Sequence, residues 1–186
     1  MSKSISIRPL NSNSPELQQA VDLYIEAFPS CERRDTNEWL DCLSIVPNNP
    51  YVLFGIYLNQ DFIGFISCWN FETFVYAEHF AVKQTARGNG IGASTISLVK
   101  EHFGNTPIVL EAEPPCDEMS KRRIGFYQRQ GFVIDTAPYL QPPYRKEDNW
   151  FELKLMSTHP DFVISNHEKV KQTIYRHVYH VEEDKP

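Results

Sequence analysis

The chain has 186 residues, 41% hydrophobic, 13% aromatic and 23% charged, a composition that excludes disorder, collagen-like repeats and a disulfide scaffold. With 18 Lys and Arg against 24 Asp and Glu the formal net charge is −6, which offers no cationic field to nucleic acid or anionic lipid. No segment approaches the ~20 apolar residues of a membrane span. The start MSKSISIRPL lacks a signal-peptide core, and Cys31, Cys42, Cys68 and Cys116 form no CxxC pair. A cytoplasmic protein with reduced cysteines is expected, with neither nucleic-acid nor membrane partners.

Ser4 to Arg8 alternates as a strand, with Ile5 and Ile7 on one face. Ser14 and Pro15 read as the N-cap and first position of a helix carrying Leu17, Val21, Tyr24 and Ile25 on one face, which Pro29 stops. Thr36 is placed to cap a second helix with Trp39, Leu40 and Leu43, ended by Pro47-Asn48-Asn49-Pro50. From Tyr51 the period changes. Tyr51 to Leu58, the turn Asn59-Gln60-Asp61 and Phe62 to Phe71 predict an antiparallel hairpin, and Phe74 to Val82 a third strand. The polar stretch Lys83 to Asn89 leads into Gly90 and a helix with Ile91, Ile96, Val99 and Phe103. Pro107 to Ala112 reads as a strand, and Asp117 to Gln130 as a helix with Gly131 at C′. Phe132 to Ile134 and Trp150 to Leu155 form a last strand pair joined by the loop PYLQPPYRKEDN. Val170, Ile174 and Val178 recur every fourth residue and predict an amphipathic helix. The strands flanking the glycine-loop helix need a crossover and are expected to be parallel, while the hairpins are antiparallel. The fold class is therefore α/β (α+β), a mixed, mostly antiparallel central sheet flanked by helices. One domain over residues 1–156 carries a short C-terminal helical extension, 157–186.

The richest local pattern is Arg87-Gly88-Asn89-Gly90-Ile91-Gly92-Ala93, between a strand and a helix N-terminus. Alternate glycines let the backbone turn tightly and leave its N–H groups uncovered, and the helix dipole there favours an anion such as pyrophosphate. Arg87 adds a forked cation. A Walker A loop would need a lysine that Gly92-Ala93-Ser94 lacks. A dinucleotide fingerprint is formally met by Gly88, Gly90 and Ala93, but Lys83 to Arg87 separate the strand from the first glycine. That reading ranks second.

Arg87-Gly88-Asn89-Gly90-Ile91-Gly92 resembles the Arg/Gln-x-x-Gly-x-Gly/Ala acyl-CoA motif of the GNAT N-acetyltransferases. Glu78-His79-Phe80-Ala81-Val82 is similar to that family's central strand, and Arg123-Ile124-Gly125-Phe126-Tyr127-Gln128-Arg129-Gln130-Gly131-Phe132 to its C-terminal signature. The proline often found between strand and motif is absent from Lys83 to Ala86. The resemblance implies acetyl-CoA as cosubstrate and transfer of its acetyl group to a primary amine by direct attack in a ternary complex. It places the N–H groups of Phe80, Ala81 and Val82 beside the pantetheine and thioester, and the 87–93 loop on the pyrophosphate.

Thioester aminolysis needs a deprotonated amine, a stabilised oxyanion and a protonated thiolate. Glu78 is the candidate base: alternation puts it on one face with Phe80 and Val82 and His79 on the other, and its pKa would have to rise toward neutral through burial. Tyr127 is the candidate acid, since phenol and thiol reference pKa values, about 10 and 8.5, lie close. The resemblance lines the acceptor site with residues 29–35 and 138–149; Glu32, Glu111, Glu113 and Tyr144 are its candidate contacts, for a small-molecule or peptide amine. Asp35 beside Glu32 suits a cationic amine, whereas Arg33 and Arg34 suit one bearing a carboxylate. His177 and His180 lack an acidic third ligand, so no metal is expected. No cysteine has a histidine partner for an acyl-enzyme. The competing readings are a non-catalytic acyl-CoA-sensing module and a dinucleotide oxidoreductase; the chain is expected to be a monomer or homodimer.

Overall fold

The computed structural model describes residues 4–44 and 48–182, so the expected helix stop at Pro47 falls outside the described residues. The chain divides into two compact units, Met1–Thr106 and Pro107–Pro186.

In the first unit β1 (Ile5–Leu10), β2 (Tyr51–Leu58), β3 (Asp61–Asn70) and β4 (Val75–Val82) lie side by side in sequence order, each antiparallel to the next. Helices α1 (Leu17–Ala27), α2 (Thr36–Asp41) and α3 (Ile91–Phe103) accompany them. α1 starts at Leu17 rather than at Pro15: the Ser14 hydroxyl accepts the Asn11 N–H at 2.9 Å and so does not cap the helix. Its buried face is Ala20, Val21, Leu23 and Tyr24, while Ile25 is exposed. Thr36 is the first residue of α2, with Asp35 at the cap. The β2–β3 turn is tighter than expected. Asn59 and Gln60 both take positive φ, 50° and 84°, the left-handed pair that suits a two-residue hairpin loop, and Asp61 already belongs to β3.

Two features shape β4. A Cβ on Gly64 would sit 2.4 Å from the Ala81 carbonyl oxygen, so only glycine permits this approach of β3 to β4. Further along, Ile66 pairs with Phe80 and Cys68 with Ala77, which leaves Glu78 and His79 together opposite Ser67 alone. This is a β-bulge in β4, and the Ser67 hydroxyl accepts the His79 N–H at 3.1 Å. On one side of the sheet Phe80 and Val82 pack with Ile56, Ile63 and Ile91. Elsewhere Tyr24 stacks on Trp39 with centroids 4.2 Å apart, and Phe65 lies 5.4 Å from Trp39. Burying each such ring contributes on the order of 2–3 kcal/mol before ordering costs.

In the second unit β8 (Phe151–Ser157) is the common partner. β5 (Ile108–Ala112), β6 (Val133–Ile134) and β7 (Tyr139–Gln141) all pair with it antiparallel. β7 lies inside the stretch that reads as loop in the sequence. α4 (Glu118–Arg129) opens on a capping box, Asp117 accepting the Ser120 N–H at 2.7 Å while the Ser120 hydroxyl accepts the Asp117 N–H at 3.0 Å. Gly131 past its end has φ 82°. α5 (Pro160–Ile174) packs against β8, kinks at Asn166 and runs into a π-helical turn, Tyr175–Tyr179. The stripe Val170, Ile174 and Val178 is fully buried.

Candidate functional site

The glycine loop is built by backbone conformation. Gln84–Ala86 makes a 3-10 turn, with the Ala86 N–H on the Lys83 carbonyl at 2.9 Å, where the related motif often has proline. Gly88, Asn89 and Gly90 then take three successive positive φ values, 86°, 52° and 76°. Non-glycine residues pay steric strain there, asparagine least. A Cβ on Gly88 or Gly90 would meet nothing within 4 Å, so the glycines answer to φ and not to crowding, and their backbone faces open space. The Ile91 N–H bonds the Gly88 carbonyl at 3.2 Å and α3 begins at once, leaving the first-turn N–H groups, Gly92 and Ala93 among them, at a helix end that favours anions. Arg87 is exposed, and its Nε donates to the Val82 carbonyl at 3.0 Å, which ties the guanidinium to the end of β4.

The β4 bulge changes where Glu78 goes. Strict alternation would send Glu78 and His79 to opposite faces; instead both reach the segment after α1. The Glu78 carboxylate accepts from the Arg34 guanidinium and, at 2.8 Å, from Trp69 Nε1, while His79 Nε2 lies 3.2 Å from the Glu32 carbonyl. His79 Nδ1 is 3.7 Å from Glu78 Oε2. The expectation that Glu78 shares a face with Phe80 and Val82 is thus corrected, because the extra residue shifts the alternation by one. Its ionisation also runs opposite to the expected direction. Burial pushes the carboxyl up, but the Arg34 guanidinium, helped by His79, outweighs it and holds the group well below the usual carboxylate range. The Glu78 side chain is fully buried. The sequence offers Arg34 to an acceptor's carboxylate, and the structure gives it to Glu78 instead; Trp69 was not among the candidate residues. Arg33 donates to the Phe28 carbonyl at 3.0 Å, and Glu32 is exposed.

The second unit holds the other candidates. Tyr127 is half-buried beside Phe126 and Phe132, at 5.1 and 5.6 Å between centroids, and burial raises its phenol, so it stays protonated. Its carbonyl accepts the Phe132 N–H at 3.1 Å, which links the tyrosine to the helix-ending Gly131 turn. Glu111 lies among tyrosines: the Tyr139 hydroxyl donates to Oε1 and the Tyr179 hydroxyl to Oε2, the latter at 2.8 Å. Gln141 donates to the Tyr179 oxygen, and the Tyr144 ring lies 5.0 Å from that of Tyr179. Burial, with the Glu111 charge second, keeps Tyr139 protonated far above its ordinary range. Glu113 pairs with Arg123 on the surface, away from this cluster's hydrogen bonds. Tyr139, beside Tyr144 in the proline loop, was legible as part of an aromatic wall, whereas Tyr179 escaped the sequence reading because a tyrosine near the last helix has no fixed spacing to it.

Among the described residues no three His, Cys, Asp or Glu side chains are grouped to hold a metal ion, and no helix is long and apolar enough to cross a membrane. Cys68 is buried and its thiol is pushed far up by burial; burial also pushes Cys42 up to about 11, so neither is a ready nucleophile.

Known proteins place these features in one group. A structure from Bacteroides thetaiotaomicron named as a GNAT-family acetyltransferase matches with a TM-score of 0.88 at 33% identity, over 95% of this chain and 99% of that one. Arabidopsis thaliana Naa50, solved with the bisubstrate analogue CoA-Ac-MVNAL, matches at 0.60 with 21% identity over 83% of this chain and 97% of that one. A GNAT acetyltransferase from Elizabethkingia anophelis with acetyl-CoA bound matches at 0.55 with 15% identity over 82% and 96%. In sequence, YjbC of Bacillus subtilis, named as an acetyltransferase, is 38% identical over 64 residues, so the match spans about a third of that protein's length. The fold class expected from the sequence, mixed α/β with a mostly antiparallel sheet flanked by helices, is that of these structures. The acetyltransferase (GNAT) family profile covers residues 17–132, and the chain belongs to that family.

Proposed function

We propose that this protein is a cytoplasmic N-acetyltransferase that moves the acetyl group of acetyl-CoA to a primary amine by direct attack in a ternary complex. The observation that carries the reading is the run of three left-handed residues, Gly88-Asn89-Gly90, opening onto the N-terminus of α3 with free space where side chains would stand. This cradle fits a pyrophosphate: backbone N–H donors and a helix dipole meet at the N-terminus of α3, and the Arg87 guanidinium next to the loop is exposed. Acetyl-CoA supplies an activated thioester, and the remaining work falls to the protein's residues.

The N–H groups of Phe80, Ala81 and Val82 would orient the pantetheine and take up charge on the thioester oxygen. Tyr127, kept protonated by burial, would hand its proton to the departing thiolate. Glu78 enters with a different part from that of a base. Its carboxylate is buried, ionised and occupied by Arg34 and Trp69, so it anchors Arg34 and the segment after α1. The amine proton then goes to solvent, and the rate climbs with pH toward the acceptor's own pKa.

The acceptor class is chosen by assay. Among proteins of this fold are a spermidine N-acetyltransferase, an enzyme modifying the N-terminal serine of ribosomal protein L7/L12, and Naa50 with its peptide analogue. Purified protein is therefore tested for thermal shift with acetyl-CoA, CoA, NAD and ATP, then for thiol release with spermidine and with peptides beginning in Ser or Met. Ligand at ~100 times its dissociation constant adds about 2.7 kcal/mol. A shift with acetyl-CoA and CoA followed by amine-dependent thiol release supports the proposal. A shift without thiol release favours an acyl-CoA-sensing module, and a shift with NAD alone overturns the reading.

A further inference from the structure

The glycine loop is entered through Lys83 and the 3-10 turn Gln84–Ala86, and Lys83 is held at three points. Its N–H donates to the Ile63 carbonyl at 2.8 Å, one rung beyond the pairing of Gly64 with Val82. Its carbonyl accepts the Ala86 N–H at 2.9 Å and so opens the turn. Its ammonium donates to the Phe62 carbonyl and to Gln19 Oε1 on α1, both at 2.9 Å. The same ammonium lies 5.0 Å from the centre of the Phe62 ring, within reach of a cation–π contact.

Packing holds only the far end of the turn. Ala86 packs against the Ile56, Ile63 and Ile91 cluster, whereas Gln84 and Thr85 are exposed. On the α1 side of those two residues is a cavity of about 380 Å³, lined across from them by Gln19, Asp22, Leu23 and Glu26. The near end of the turn is therefore fastened by the lysine's bonds and not by apolar contact. Its backbone is also one that a proline would accept. Lys83 has φ −48° and ψ 135°, the extended region of a residue that precedes proline. Gln84 begins a 3-10 turn, where φ is close to what a proline ring imposes and the first N–H has no partner within the turn. With glutamine in that place, nothing covalent fixes the shape.

We infer that the Lys83 ammonium is a clamp that keeps the entrance of the glycine loop in its ligand-ready shape, which makes Lys83 a positioning residue for the cosubstrate, acting through the turn. This rests on the acetyltransferase reading above and adds a determinant of cosubstrate affinity outside residues 87–93. A ligand binds only the fraction of molecules whose loop has that shape, so a loosened clamp raises the apparent Kd by the inverse of the fraction that remains.

The test titrates CoA and acetyl-CoA into the full-length protein by calorimetry. Lys83→Met is expected to raise both Kd values by about 10-fold. Gln19→Leu, which leaves the lysine charge in place, should raise them by about 2–5-fold, the range of one hydrogen bond. Gln84→Pro supplies by a ring what the lysine supplies by bonds: alone it leaves Kd within about twofold of wild type, and added to Lys83→Met it recovers most of the loss. A purely structural lysine, or one whose charge acted directly on the phosphates, would not be rescued in that way. Lys83→Met with Kd within about twofold of wild type, or a loss that Gln84→Pro leaves in place, overturns the inference. Where Lys83→Met does not fold, Gln19→Leu with and without Gln84→Pro gives the same comparison. A wild type that binds neither CoA nor acetyl-CoA sinks the acetyltransferase reading instead, and the clamp is then read from amide exchange. The Ala86 and Arg87 N–H groups, bonded to the Lys83 and Gln84 carbonyls, should exchange about 10-fold faster in Lys83→Met and slow again with Gln84→Pro; unchanged exchange overturns the clamp.

Discussion

Arg34 and Glu78 form a buried ion pair that joins the segment following α1 to the bulge in β4. Trp69 completes it, its indole nitrogen on the second carboxylate oxygen and its ring 5.5 Å from the Arg34 guanidinium carbon. The Arg34 N–H in turn donates to the Tyr24 hydroxyl at 2.9 Å, and Tyr24 carries the stack on Trp39. The charge pair is thereby wired into the aromatic core.

Breaking such a pair from one side strands a charge, which typically costs about 3–5 kcal/mol, while removing both partners costs far less. Arg34→Met and Glu78→Gln are each expected to destabilise strongly, and the double variant by less than the sum of the two. Urea unfolding of the three variants gives the coupling; additive effects would show that the pair contributes nothing of its own.

The same pair sets an acid limit. Glu78 has a folded pKa below its unfolded value of about 4.3, so its stabilisation is complete above that value and is lost as pH falls through the folded one. Wild type is expected to lose urea midpoint between neutrality and pH of about 3, and Glu78→Gln to lose less over the same interval, narrowing the gap between them. Parallel curves would contradict the assignment.

At Gly90, φ of 76° with open space around it isolates backbone strain from crowding. Gly90→Ala is expected to cost about 1–2 kcal/mol, a fall of several degrees in Tm, and to weaken acetyl-CoA binding. Gly90→Asn should cost less, since asparagine tolerates this region and already occupies it at position 89. Differential scanning with and without acetyl-CoA separates the two effects.

Tyr127→Phe removes the proposed proton donor and keeps the ring against Phe126 and Phe132. It should lower kcat by about 10²–10⁴-fold and leave the acetyl-CoA Kd within about twofold. Unchanged turnover would remove Tyr127 from the mechanism.

Direct transfer predicts indifference to thiol chemistry. Exposed Cys116 is expected to take iodoacetamide first, Cys42 slowly and buried Cys68 only on unfolding. Mass spectrometry follows the labelling. Activity should survive the loss of Cys116, and inactivation in step with its modification would point to an acyl-enzyme.

Much of this was legible because it is local. Strand and helix periods place β2, β3, β4, α3 and α4 within a residue or two, and the glycine loop announces itself through residue types fixed by backbone angles. Ser14 misled because its hydroxyl had a nearer backbone donor in Asn11. β7 was hidden because three residues are too few to show a period. The electrostatics of Glu78 were unreadable for another reason: Arg34 is 44 positions away, and the bulge that brings the two together exists only once β3 and β4 are paired. Glu111 and Tyr179 are 68 apart and meet through an irregular turn that no periodicity encodes.

The bulge gives β4 one residue more than its pairing with β3 needs. Glu78 and His79 share the space opposite one serine, so a side chain at either place can be exchanged while the strand keeps its path. Losing one of the two would restore simple pairing, with Ile66–Phe80 and Cys68–Ala77 kept and every other residue facing as before, and would remove from the segment after α1 either the Glu78 carboxylate or the His79 ring. In inheritance, the strand's pairing should therefore survive a single-codon deletion at this place, and what is held is a carboxylate opposite Arg34.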